Sequence, residues 1–128
     1  MELVQVRLIV SDFARMFRFY RDVLGFTPQV DDDGGPYGKL TPPEGKAAVA
    51  LHARSDLQAH VPLAPRAEGG SDAALLVFKV SDVEARAAAL VAAGVVLLAG
   101  PKDAWGRLRV AYLRDPEGNL IELQEWRA

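Results

Sequence analysis

From Leu3 to Val10 apolar and polar positions alternate with period two, placing Val4, Val6, Leu8 and Val10 on one face and Leu3, Gln5, Arg7 and Ile9 on the other. That is the signature of a strand with one buried face. The period then changes. Phe13, Met16, Phe17, Tyr20, Val23 and Leu24 fall on one helical stripe, with Asp12 as its N-cap and Gly25 at its end. Strands are expected over Phe26–Val30, Tyr37–Leu40 and Ala47–Ala53, joined by turns at Asp31–Pro36 and Pro42–Gly45. The run Asp31-Asp32-Asp33 lacks the alternating oxygen ligands and distant glutamate of a calcium loop, and reads as a solvated turn.

The same order recurs after a Pro- and Gly-bearing stretch, Ser55–Ser71, which shows no sustained period. Ala74–Val80 is a strand, Ser81 and Glu84 form a capping box, and Val83, Ala87, Leu90 and Val91 make a helical stripe ending at Gly94. Strands are expected at Val95–Leu98, Leu108–Leu113 and Leu120–Trp126, with Gly100–Gly106 as a loop. Asp115-Pro116-Glu117-Gly118 has the residues of a type I turn that reverses the chain into the last strand. Val10-Ser11-Asp12 and Val80-Ser81-Asp82 occupy matching places, so the chain reads as one unit written twice. The predicted class is α+β: two βαβββ modules, about 1–54 and 74–128, joined by a linker over about 55–73. Their curled mixed sheets would surround a concave cleft, with the helices outside.

Composition narrows the function. The 128 residues carry a net charge of −2 with scattered basic residues, which excludes a nucleic-acid footprint. No run of 18 apolar residues suggests a membrane span, and the chain reads as cytoplasmic. The absence of Cys removes thiolate catalysis and thiolate zinc sites. No glycine-flanked serine elbow and no strand-borne phosphate loop is present. What remains is one carboxylate, Glu122, in the middle of an apolar strand.

The segments Phe19-Tyr20-Arg21-Asp22-Val23-Leu24-Gly25-Phe26, Trp105-Gly106, Asp115-Pro116-Glu117-Gly118-Asn119 and Ile121-Glu122-Leu123 resemble the vicinal oxygen chelate superfamily. That family holds glyoxalase I, bleomycin-resistance proteins, fosfomycin-resistance enzymes and extradiol dioxygenases. The resemblance implies a divalent metal held by His, Glu or Gln from the first and last strands of each module. Carried onto this chain, those positions are Gln5, Leu75, Glu122 and either Ala50 or, with the register moved by two, His52. Leu75 cannot coordinate, so no metal is favoured; if one is held, the candidates are Gln5, His52 and Glu122.

The expected function is therefore binding of a small, partly apolar molecule in the inter-module cleft. The alternative is a metal-dependent lyase, isomerase or dioxygenase acting on vicinal oxygens. Strand parity nominates Gln5, Arg7, His52, Val77, Lys79 and Glu122 as the lining, with Tyr37 in its wall and Trp105 at its mouth. Arg7 is the candidate partner of Glu122, His60 is expected in solvent, Trp126 is assigned to packing between copies, and a homodimer is expected.

Overall fold

The computed structural model describes residues 1–66 and 72–127. They fall into two compact units, Met1–Arg66 and Ala67–Ala128. The first contains β1 (Arg7–Val10), α1 (Phe13–Arg18) running into a π turn (Phe19–Val23), β2 (Thr27–Pro28), β3 (Tyr37–Thr41), β4 (Val49–Ala53) and one short turn of helix, α2 (Arg54–Leu57). The second contains β5 (Leu75–Lys79), α3 (Val83–Ala92), β6 (Ala99–Ala104), β7 (Leu108–Arg114) and β8 (Leu120–Trp126). Each unit is a four-stranded mixed sheet, ordered β1-β4-β3-β2 in one and β5-β8-β7-β6 in the other. First and last strands pair in parallel at the sheet's edge side, and the hairpins pair antiparallel. The α+β class and the duplicated βαβββ order are thus present. No helix among the described residues is long and apolar enough to cross a membrane.

One face of each sheet lies under its helix. In the first unit Phe13, Met16, Phe17 and Tyr20 are buried with Val10, Leu40, Val49 and Leu51. A Cβ on Gly38 would lie 3.0 Å from the Phe13 ring, which identifies the face of Gly38, Leu40 and Leu51 as the covered one. In the second unit Val83, Ala87 and Leu90 are buried with Ala111, Leu113, Ile121 and Leu123. Both helices start on the same device: Asp12 accepts a hydrogen bond from the Arg15 amide at 3.1 Å, and Asp82 from the Ala85 amide at 3.0 Å. The second N-cap is therefore Asp82 and not Ser81, and Glu84 turns outward to Arg109 at 2.6 Å instead of closing a capping box.

Several boundaries move for physical reasons. The first strand begins at Arg7, which pairs with Ala50 of β4, and the residues ahead of it are not covered: Leu3 and Val4 are each 84% exposed. The second strand shrinks to Thr27–Pro28, since Phe26 turns inward against Tyr20, ring centroids 5.4 Å apart. The linker does not start as irregular chain: Arg54–Leu57 coils into α2. Its residues 67–71 lie outside those described. The largest shift is at β6. Val95–Leu98 is not a strand, and the expected loop instead supplies Ala99–Ala104, with a register irregularity between Ala99 and Lys102 where Gly100 takes φ +77°. Gly and Pro here mark a bulge inside a strand, which the sequence pattern presents as a break.

Candidate functional site

The faces turned away from the helices carry the polar chemistry. In the first unit Arg7 pairs with Ala50, and Ile9 and Tyr37 both pair with His52, so Arg7, Tyr37, Ala50 and His52 share this face. Gln5, just ahead of β1, joins them. Its amide nitrogen donates to the Tyr37 hydroxyl, and its oxygen accepts from Arg7 Nε at 2.6 Å. Arg7 also lies over the Tyr37 ring, 5.4 Å from the centroid, and its Nη1 is 3.2 Å from His52 Nδ1. A guanidinium only donates, so Nδ1 must accept and the proton sits on Nε2. Nε2 in turn donates to Asp56 Oδ2 at 2.7 Å. His52 is buried, and both of its ring nitrogens are engaged.

In the second unit the register Val77 to Glu122 and Tyr112 to Glu122 puts Glu122 at the centre of the corresponding face. It is 3% exposed. Tyr112 donates to one of its oxygens at 2.5 Å, and Gln124 Nε2 donates to the other at 2.7 Å. Trp126 Nε1 then donates to Gln124 Oε1 at 3.1 Å, so an indole is wired to the carboxylate through one amide. The hydrogen bond to Glu122, then burial, then the charge of Glu122 push the Tyr112 phenol up to about 12. Lys79 and Lys102 reach over the two rings: Lys79 Nζ is 5.9 Å from the Trp126 centroid, and Lys102 Nζ is 6.0 Å from that of Tyr112. Leu75 and Val77 on the edge strand β5 are 42% and 47% exposed.

Of the nominated residues, Gln5, Arg7, Tyr37 and His52 thus come together in one unit, and Val77, Lys79 and Glu122 share a face of the other. Trp105 sits in the turn between β6 and β7, 73% exposed with φ +50°. Five participants are missing from the sequence reading, Gln124 beside Glu122 among them. Trp126 lies four residues after Glu122 on the same strand, so its parity was legible although its role was assigned to packing. Tyr112 needs the β7–β8 register, Lys102 lies in the stretch taken for a loop, and Asp56 lies in the stretch taken for a linker.

The register also decides which residue of β4 corresponds to Glu122. Arg7 and Val77 stand equally far before Val10 and Val80; the first pairs with Ala50, the second with Glu122. The counterpart is Ala50, and His52 corresponds to Gln124. Of the four family ligand positions, Leu75 and Ala50 have no donor atom, and the nearby imidazole has both nitrogens committed. No group of three or more His, Asp or Glu suited to a metal occurs among the described residues. A carboxylate and a carboxamide are a poor set for a divalent transition ion, so the residues present do not fit that centre.

A family description, the Glyoxalase/Bleomycin resistance protein/Dioxygenase superfamily, matches residues 2–123. An uncharacterised Bacillus subtilis protein, YraH, is 34% identical over 127 residues, spanning 96% of this chain and 97% of the relative. Virulence protein STM3117 of Salmonella typhimurium is 30% identical over 122 residues, 93% of this chain and 80% of that protein. Among solved structures, TnmS3, an antibiotic binding protein from Streptomyces sp. CB03234, superposes with a TM-score of 0.73 at 25% identity, covering 98% of this chain and 97% of its own. With the duplicated fold and a match over nearly its whole length, this chain belongs to the Glyoxalase/Bleomycin resistance protein/Dioxygenase superfamily.

Proposed function

We propose that this protein binds a small, partly apolar molecule on the helix-free faces of its sheets, without a resident metal, and works as a homodimer in the cytoplasm. The observation that carries the reading is Glu122. It is a buried carboxylate whose donors are a phenol and an amide, and it stands among aromatic and aliphatic side chains that a planar body can lie against. Each carboxylate oxygen keeps a further lone-pair direction for a hydroxyl or N–H of the bound molecule. The antibiotic binding activity of TnmS3 lends support to a binding role for a fold of this kind.

Two measurements test it. Elemental analysis of protein purified without added metal is expected to find well under one transition-metal ion per chain. Calorimetry with 2-naphthol, a planar body with a single hydrogen-bond donor, is expected to show saturable binding that Glu122→Gln weakens about tenfold, the worth of one charge-assisted hydrogen bond, in a variant that still folds by circular dichroism. Close to one metal ion per chain, lost in Glu122→Ala, would replace this reading with a metal-dependent lyase, isomerase or dioxygenase.

A further inference from the structure

Five of the eleven arginines are answered by carboxylates. Arg18 pairs with Asp33, Arg21 with Asp22 and Asp31, Arg109 with Glu84 and Asp103, Arg114 with Asp72, and Arg127 with Glu125. Arg7 differs. Its guanidinium is fixed by an amide oxygen, an imidazole nitrogen and the face of a phenol ring, all neutral, while the residue itself stays exposed. The closest negative charge in this network, Asp56, lies beyond the imidazole and spends one oxygen on His52 Nε2. The side chain therefore has a fixed direction and a charge without a direct counterion.

We infer that Arg7 is the receptor for an oxyanion group, a carboxylate or phosphate, on the bound molecule. Of the five N–H donors of a guanidinium, Nε–H goes to Gln5 and one on Nη1 to His52, which leaves the second on Nη1 and both on Nη2. Nη1 and Nη2 together form the fork that matches two oxygens of a carboxylate or phosphate. The rotamer entropy that a long side chain loses on binding is already spent, because three contacts hold it before any ligand arrives. Lys39 adds a second cation. It pairs with Ala50 from the opposite side to Arg7, so the two residues flank Ala50 on one face with their Cα atoms two strands apart, about 10 Å. Such a gap admits an anionic group and rejects a cationic one.

The inference rests on the binding reading above, and matched probes separate the two. The carboxylate 2-naphthoate is expected to bind about tenfold more tightly than neutral 2-naphthol, as a charge-assisted bidentate contact allows. The Arg7 Nε–Hε resonance should shift saturably with it, and Arg7→Gln should erase the preference. Inorganic phosphate should compete if the fork accepts phosphate as readily as carboxylate, whereas acetate competing alone restricts the subsite to carboxylates; either supports it. A preference unchanged in Arg7→Gln, or an Arg7 resonance that moves no more than those of Arg18 and Arg21, overturns it. Glu122-dependent binding of 2-naphthol with no saturable binding of 2-naphthoate sinks the oxyanion subsite and keeps the binding reading. Saturation of the Arg7 resonance by phosphate with no binding of either naphthalene does the reverse. Should Arg7→Gln fail to fold, the resonance titration of the natural protein decides alone.

Discussion

A carboxylate buried on a sheet face is costly unless donors answer it, and at Glu122 the answer is a phenol and an amide in place of the arginine that strand parity nominated. Tyr112 pays for that contact in its own titration. Its folded value of about 12 lies above the ordinary 10.0, so the fold favours the protonated phenol. The unfolded chain loses this proton first, and the stabilisation is complete below 10.0 and is lost as pH rises through about 12. The difference in denaturation midpoint between the natural protein and Tyr112→Phe is therefore expected to shrink across that window. A difference that stays constant with pH would show that the phenol and Glu122 are uncoupled. Glu122 itself was legible as the one acid of an apolar strand. Tyr112 was not, because nothing local to residues 108–114 states which of them faces position 122 until the hairpin register is known.

Among elements, the strongest local grammar was readable and the weakest misled. At Asp115 the turn forms as its residues dictate: Gly118 N donates to the Asp115 carbonyl at 2.9 Å, and the Asp115 side chain accepts from the Glu117 and Asn119 amides at 3.0 and 2.9 Å. At β6 the apolar run Val95–Leu98 attracted the strand assignment, while the true strand carries Gly100 and Pro101. Its stability depends on a position where a Cβ would stand 2.3 Å from the Val110 carbonyl oxygen, on a backbone at φ +77°. Gly94 closes α3 at φ +91° with nothing within 4 Å of such a Cβ. Comparing the two substitutions separates conformation from collision. Gly94→Ala is expected to cost about 1 kcal/mol, the penalty of the left-handed backbone alone, and Gly100→Ala distinctly more, by about 1–3 kcal/mol, because backbone must move as well. Equal losses in urea denaturation would mean that β6 yields freely at the bulge, and the assignment of Gly100 as a fixed bulge point would be wrong.

At the scale of the whole chain, duplication was the most informative feature of the sequence, since matching Val-Ser-Asp segments fixed two equivalent units whose sheets have the same strand order. It could not say which side chains on the helix-free faces would meet a partner. In the second unit that face exposes Leu75 at 42%, Val77 at 47% and Trp126 at 57%, apolar area on strands where α3 does not cover it. Grouped exposure of this kind is a signature of association, and the edge strand β5 offers backbone donors and acceptors beside it. A net charge of −2 opposes self-association little. A reversible homodimer is expected in sedimentation at micromolar concentration, and Leu75→Lys with Val77→Lys should convert it to a folded 13.9 kDa species. Because Val77 pairs directly with Glu122, that conversion should also weaken 2-naphthol binding, so that affinity falls on dilution of the natural protein. A chain that sediments only as a monomer at high concentration, yet binds 2-naphthol with unchanged affinity in the double variant, would leave these apolar strands to the ligand alone and remove the second copy from the site.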